Sequence, residues 1–196
     1  MRSVLQRRLR MGRGRRTALS SWVKSRGIKF GVALFLPLVA LGIGVWYFTS
    51  PRPREGTGVG MLAPDFSLER LDTGDPVSLS DFRGKGVLLL FWQSTCPDCR
   101  RAMPYFQELL TRYRDQGLVV LGVCLDHEPE AALEYLRSGG YELIPLWGSY
   151  ERAMGIVELY EVPLVPYVVL IDRKGIIRFR GTFPEVPSPE EIERWL

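Results

Sequence analysis

The chain has 196 residues, 46% of them hydrophobic, which is enough for one ordinary core with extensions. Residues 1–29 carry ten Arg or Lys and no acidic residue, whereas residues 61–196 carry 14 basic and 21 acidic side chains. Because the basic groups lie in a tail and the body is acidic, the net charge of +4 does not indicate a nucleic-acid-binding protein. Three cysteines are too few for a disulfide-rich secreted scaffold.

Residues 30–48 form an uncharged, largely apolar run that ends in three aromatic residues. About 20 apolar residues in a helix cross the hydrocarbon core of a bilayer. Positive charges on one side keep that side in the cytoplasm. We therefore predict a basic cytoplasmic tail over residues 1–29 and one transmembrane helix over residues 30–48. The expected location is the inner or cytoplasmic membrane, with the C-terminal domain on the extracytoplasmic, periplasmic side.

Two other interpretations of the N-terminal region remain open. A cleaved signal peptide has an apolar region of about 7–15 residues followed by small residues, and residues 30–48 are longer and end in bulky ones. An Arg-rich tail without acids is also typical of a mitochondrial address, which would place the same topology in an inner membrane. Residues 49–60 are rich in Pro and Gly and are predicted to be a flexible linker, so the globular domain is expected over residues 61–196.

The domain alternates between strand and helix patterns. Period-2 and continuously apolar runs predict strands at 63–68, 77–79, 87–92, 118–125, 167–172 and 176–179. Helical spacing and capping residues predict helices at 97–115, 128–136, 149–157 and 188–196. This order predicts an α/β sandwich with a mixed central sheet and an N-terminal β-hairpin.

A Cys-x-x-Cys pair, Cys96 and Cys99, lies where the apolar strand 87–92 gives way to a helix. Pro97 suits the first helical position. The first turn of a helix has unpaired N–H groups and a partial positive charge, which favour a thiolate over a thiol. Asp98 suits a helix start but its charge opposes a neighbouring thiolate. We therefore expect an exposed Cys96 to attack and Cys99, one turn further, to resolve.

The chain resembles the thioredoxin-like superfamily and, within it, the membrane-anchored thiol–disulfide oxidoreductases of the TlpA/ResA type. The resemblance covers about residues 61–196. It is carried by Phe91-Trp92 before Cys96-Pro-Asp-Cys99, by Pro104, by Val165-Pro166 before an apolar strand, by the hairpin turn at 173–175, and by the entry motifs at 63–66 and 79–85.

This resemblance implies a thioredoxin-like three-layer sandwich in which Pro166 is a cis-proline facing the cysteine pair. Val165 is then the backbone that pairs with an incoming substrate, and Trp92, Thr95, Pro97 and Asp98 complete the substrate-binding surface. The residues themselves leave Pro163 as an alternative to Pro166.

Three positions depart from the family pattern. Family members often carry an aromatic residue before the first cysteine, where this chain has Thr95. The two acids that accept the proton of the second cysteine in thioredoxin and in ResA-type proteins are replaced here by Leu90 and Ala102. The candidates for deprotonating Cys99 are then Asp98, Glu161 or water.

The expected function is reduction of protein disulfides by a membrane-tethered dithiol, with cytochrome c maturation as the best-fitting pathway. The expected partners are disulfide-bearing proteins, the membrane itself and a membrane thiol electron donor. No cofactor, metal or nucleic acid is expected.

Two other kinds of chemistry compete with disulfide exchange. Cys96, Cys99, Cys124 and His127 have the spacing of a zinc site, which would indicate a non-enzymatic metal-handling module. Cys124 is more simply interpreted as a small core residue, although a third redox role is open. His127 is more simply interpreted as a solvated loop residue. A peroxiredoxin-like thiol peroxidase needs a Pro-x-x-x-Thr-x-x-Cys loop, but Thr95 lies next to Cys96 and no proline precedes it.

Overall fold

A computed structural model describes residues 39–41 and 53–196. The chain divides into two units, residues 1–52 and 53–196. Of the predicted transmembrane helix, only residues 39–41 are described, and they are helical. The rest of that segment and the basic tail lie outside the described residues. Over residues 39–41 and 53–196, no helix is both long enough and apolar enough to cross a membrane.

The domain is built on one seven-stranded mixed sheet with the order β2-β1-β5-β4-β3-β6-β7. The central pairs β3–β4 and β4–β5 are parallel, and all other pairs are antiparallel. The strands are β1 (Ser67–Arg70), β2 (Pro76–Ser78), β3 (Gly86–Trp92), β4 (Leu118–Cys124), β5 (Ile144–Trp147), β6 (Tyr167–Ile171) and β7 (Ile177–Thr182). The predicted N-terminal hairpin is confirmed as β1–β2.

Helices cover both faces of the sheet, so the domain has three layers. They are α1 (Pro97–Tyr113), α2 (Pro129–Gly139), α3 (Tyr150–Leu159) and α4 (Pro189–Trp195), with short 3₁₀ turns at Leu79–Phe82 and Arg114–Gln116. Apolar residues of α1, α2 and α4 form one core with one sheet face, and those of α3 form a second core with the other. This arrangement confirms the predicted α/β sandwich with a mixed sheet.

Strand β3 lies between β4 and β6 inside the sheet, and every one of its seven residues is buried. Its side chains alternate between the two cores, which a strand covered by helices on both faces requires. In the parallel register, Trp92 at the end of β3 lies opposite Cys124 at the end of β4. Both strands therefore end at the same edge of the sheet, and α1 begins there.

The segment before β1 differs from the expected linker. Residues 54–62 form a strap that is hydrogen-bonded to the start of the edge strand β7. Gly60 N–H donates to the Ile177 carbonyl at 2.8 Å, and Ile177 N–H donates to the Met61 carbonyl at 2.9 Å. The compact unit accordingly begins at residue 53 rather than 61. A covered edge is protected from pairing with other chains.

Arg180 of β7 holds this strap in place. Its guanidinium donates to the Thr57 carbonyl at 2.7 Å, the Tyr160 carbonyl at 2.9 Å and the Tyr167 hydroxyl at 2.6 Å. We expect Arg180→Met to lower the free energy of unfolding by about 3 kcal/mol, because hydrogen bonds from a charged donor are lost and partly buried acceptors are left unpaired. Chemical denaturation measures the loss, and limited proteolysis should cut residues 54–60 faster.

The matched control is Arg152→Met. Arg152 makes a comparable set of contacts, to Glu69 and to the Ser67 carbonyl, but on the exposed surface. Exposed pairs of this kind contribute about 0–1 kcal/mol. Equal losses in the two variants would show that Arg180 has no special role in holding the strap.

Candidate active site

Cys96 is the N-cap residue of α1, as predicted from the sequence. Its backbone is extended, with φ −76° and ψ 120°, and Pro97 follows at the first helical position. The Arg100 N–H donates to the Cys96 carbonyl at 3.1 Å, and the Cys96 N–H donates to the Gln93 carbonyl at 3.2 Å. The Cys96 side chain is partly exposed. The thiol is thus presented at the positive end of a 17-residue helix.

Cys99 lies one turn inside α1 and is only 2% exposed. Burial raises its pKa to about 12, and the neighbouring Cys96 and Asp98 add to the rise, while the Gln93 backbone N–H opposes it. Leu90 and Ala102, which occupy the positions of the familiar acids, are buried in the same core as Cys99. Both cysteines are free thiols. An accessible first sulfur beside a buried second one suits attack followed by internal resolution.

The loop before β6 faces the first cysteine. The Cys96 thiol lies 3.8 Å from the Val165 carbonyl oxygen. The Val165–Pro166 peptide bond is cis, as the resemblance implies, whereas Pro163 does not follow a cis bond. Strand β6 begins directly after Pro166 and pairs antiparallel with β3, with Tyr167 opposite Phe91. Strand pairing therefore brings Val165 to the end of β3, where Cys96 lies.

Three predicted substrate-binding residues, Thr95, Pro97 and Asp98, reach the surface on either side of Cys96. Asp98 is paired with Arg101. Val165 is partly exposed, and its neighbour Leu164 is 57% exposed. We call these residues the rim of the site: three are sequence neighbours of Cys96, and the Val165 carbonyl lies 3.8 Å from the Cys96 sulfur. Their contact with substrate stays a prediction.

Trp92 does not belong to this rim. It is 0% exposed, and its ring packs 6.0 Å from that of Tyr135, centroid to centroid. The alternation of β3 turns Trp92 towards the core beneath α1 rather than towards solvent. The prediction that Trp92 contacts substrate is therefore wrong for this structure, and the indole instead supports the site from below.

The two acids proposed to deprotonate Cys99 differ in their relation to it. The Asp98 charge acts on Cys99, but by raising its pKa. Glu161 is exposed, accepts a hydrogen bond from the Thr57 hydroxyl at 3.1 Å and pairs with Arg180 at 3.6 Å. Glu161 is thus engaged with the strap.

The zinc arrangement considered from the sequence is not assembled. Cys124 is completely buried, and burial raises the pKa of its thiol, which donates a hydrogen bond to Asp126 at 3.2 Å. His127 is exposed and stacks on Tyr150 with 4.5 Å between the ring centroids. Within residues 39–41 and 53–196, no cluster of three or more His, Cys, Asp or Glu could hold a metal ion.

Sequence reasoning missed a buried polar pair at the cysteine loop, the segment 93–96 between β3 and α1. Asp126, 7% exposed, follows the end of β4, and Ser94, 2% exposed, follows the end of β3. The Asp126 carboxylate accepts hydrogen bonds from the Ser94 N–H at 2.9 Å and the Ser94 hydroxyl at 2.8 Å. The available signal was an acid two residues after a buried strand, at the sheet edge where the cysteines lie.

Known proteins with similar sequences and folds identify the family of this chain. The AhpC/TSA family model matches residues 59–180. The thiol-disulfide oxidoreductase ResA of Geobacillus kaustophilus is 35% identical over 167 residues, covering 83% of this chain and 90% of the relative. ResA of Geobacillus thermodenitrificans is 36% identical over 166 residues, which cover 83% of this chain and 91% of that relative.

Among solved structures, the thioredoxin domain of a thiol-disulfide oxidoreductase from Bacteroides vulgatus superposes with a TM-score of 0.62. It is 26% identical, and the match covers 70% of this chain and 94% of that one. The family model, the sequence relatives and the fold thus all point to one group of thiol-disulfide oxidoreductases. The chain therefore belongs to the thioredoxin-like AhpC/TSA family and, within it, groups with the ResA thiol-disulfide oxidoreductases.

Proposed function

We propose that this protein is a membrane-tethered, extracytoplasmic oxidoreductase that reduces disulfides in other proteins through the Cys96–Cys99 dithiol. The observation that carries the proposal is the pairing of an accessible sulfur at the start of α1 with a buried sulfur one turn behind it. The apolar run at 30–48 and the basic tail before it support the tether and its orientation.

The reaction proceeds through a mixed disulfide. The Cys96 thiolate attacks one sulfur of the substrate disulfide, and the other substrate sulfur leaves as a thiolate that takes up a proton. Cys99 then loses its proton and attacks the Cys96 sulfur. The second substrate sulfur leaves and is protonated, and a Cys96–Cys99 disulfide remains. The substrate gains two electrons and two protons, and the protein loses the same number.

A dithiol of this kind must be reduced again after each turnover. Because the proposed site faces the extracytoplasmic side, away from cytoplasmic reductants, the proposal includes a thiol-bearing electron donor in the same membrane. Cytochrome c maturation is the best-fitting pathway, because haem-binding cysteines of the apoprotein must be kept reduced before haem attachment. The relatives named thiol-disulfide oxidoreductase ResA support exchange between thiols and disulfides as the chemistry of this site.

Labelling in intact cells tests the location and the redox state together. A membrane-impermeant maleimide is expected to label Cys96 of the full chain without permeabilisation, because this thiol is partly exposed and proposed to face outward. The completely buried Cys124 provides the internal control, since it should react only after denaturation.

Replacing Cys96 by Ser in the same cells should lower the amount of covalently haem-bound cytochrome c.

Labelling that requires permeabilised cells would contradict the extracytoplasmic placement. A Cys96–Cys99 pair that is mainly oxidised at steady state would contradict a role as a reductant. Unchanged cytochrome c levels would remove that pathway while leaving disulfide reduction in place.

A further inference from the structure

The Ser94–Asp126 pair forms a clasp between the ends of β3 and β4. Each carboxylate oxygen of Asp126 accepts a hydrogen bond from Ser94, one from its N–H and one from its hydroxyl. The carboxylate oxygen that accepts the Ser94 N–H also accepts a hydrogen bond from the Cys124 thiol. The Asp126 carbonyl in turn accepts the Trp147 indole N–H at 3.3 Å. Asp126 is thus fixed to β4, β5 and the loop that leads to Cys96.

The clasped loop is the one that touches both cysteines. The Gln93 carbonyl accepts the Cys96 N–H, and the Gln93 N–H faces the Cys99 sulfur. On the other side, the Ser94 carbonyl accepts the Arg100 guanidinium at 2.7 Å. Fixing Ser94 therefore fixes the peptide units on either side of it, and with them the separation of the two sulfurs.

We propose that Asp126 is a positioning residue for the resolving step: by clasping Ser94, it holds the Gln93–Ser94 backbone in the geometry that lets Cys99 attack the Cys96 sulfur. This inference rests on the proposed function, in which Cys99 resolves the mixed disulfide. Asp126 acts through the backbone, because the hydrogen bonds of its carboxylate go to Ser94 and Cys124. Attack on the substrate by Cys96 does not need the clasp to the same degree, because Cys96 faces the open rim.

The domain contains a matched control for the clasp. Asp172, 6% exposed, accepts hydrogen bonds from the N–H groups of Lys174 and Ile176 and from Arg178. It holds the turn between β6 and β7, at the far end of β6 from Pro166. Loss of either carboxylate removes a buried turn-holding group, but only Asp126 holds the cysteine loop.

Rapid mixing of the reduced full chain with excess 5,5′-dithiobis(2-nitrobenzoate) separates the two chemical steps. The first release of thionitrobenzoate reports attack by Cys96, and the second reports resolution by Cys99. We expect Asp126→Ala to slow the second phase by at least about tenfold while changing the first less than about threefold, because small misplacements of reacting groups are costly. Asp126→Asn keeps a carbonyl oxygen for the Ser94 N–H and an amide for its hydroxyl, and should stay within about threefold of the wild type in both phases.

The outcomes are distinguishable. A slow second phase in Asp126→Ala, rescued in Asp126→Asn and absent in Asp172→Ala, supports the positioning role. A wild-type second phase in Asp126→Ala, an equal slowing in Asp172→Ala, or no rescue by Asn would overturn it. If Asp126→Ala does not fold, Ser94→Ala removes one of the two hydrogen bonds, and an unchanged second phase there counts against the proposal. Loss of the first phase in the wild type would instead contradict the proposed function itself.

Discussion

Replacing Cys96 by Ser is expected to lower the rate of insulin disulfide reduction by at least about 1,000-fold, because a hydroxyl cannot replace a thiolate as the attacking group. Cys96 is the only one of the three cysteines whose side chain reaches solvent appreciably. The measurement is the rate of insulin precipitation with the reductant supplied at a fixed concentration.

The two other cysteines provide the controls for this substitution. Cys99→Ser should also stop turnover, but it should accumulate a covalent adduct between Cys96 and the substrate, visible on non-reducing gels. Cys124→Ser should retain most of the activity, because the Cys124 thiol is buried and bonded to Asp126. Comparable activity in Cys96→Ser and the wild type, or an adduct in Cys96→Ser, would reverse the assignment of attacker and resolver.

The resolving step is expected to accelerate strongly with pH. Burial disfavours the charged thiolate and raises the pKa of Cys99 to about 12, so near neutral pH this residue is almost entirely a thiol. The reactive thiolate fraction then rises about tenfold per pH unit, or about 1,000-fold between pH 6 and pH 9. Stopped-flow measurement of the second thionitrobenzoate release at each pH gives this dependence.

The sign of the accompanying stability change follows from the same shift. The folded-state pKa of Cys99 is raised above its ordinary value of 9.0, so its stabilising contribution to the reduced protein is complete below pH 9 and is lost as the pH rises towards 12.

Asp98→Asn should accelerate the resolving step only a few-fold, because burial and not the Asp98 charge is the main cause of the raised Cys99 pKa. A resolution rate that is flat from pH 6 to pH 9 would show that a nearby base already takes the Cys99 proton.

The parts of the fold that could be predicted are those with a strong local pattern. Strands β3 and β4 are long and apolar, and α1 carries a helix-start proline together with regular apolar spacing. Helix α1 continues through Pro104 and ends at Tyr113, two residues before the predicted end at 115.

The missed parts depend on contacts between distant residues. Strand β5 has only four residues and contains Pro145, a residue type that is unfavourable in a strand. It forms a strand because it pairs with β4 on one side and β1 on the other. The strap at 54–62 has the composition of a linker, and Arg180, more than 100 residues away, holds it in place. Composition does not reveal a partner of that kind.

The candidate site divides in the same way. Spacing and the helix-start pattern predict Cys96 and Cys99 at the start of a helix, and the resemblance predicts a cis bond before Pro166. The structure has both of these placements, and the roles of the three residues stay predictions. The buried position of Trp92 follows from the alternation of β3 between the two cores. The Ser94–Asp126 clasp follows from the register of β3 against β4, which places two strand ends side by side. Register of this kind is set by the whole core rather than by any short motif.

The most direct test is to map the disulfide formed in a single turnover. The reduced full chain is mixed with one equivalent of a disulfide substrate, quenched in acid, alkylated under denaturing conditions and digested for mass spectrometry. The oxidised protein is expected to contain a Cys96–Cys99 bridge, with Cys124 alkylated. Oxidation that leaves Cys99 as a thiol, or that joins either member of the pair to Cys124, would contradict exchange through this dithiol.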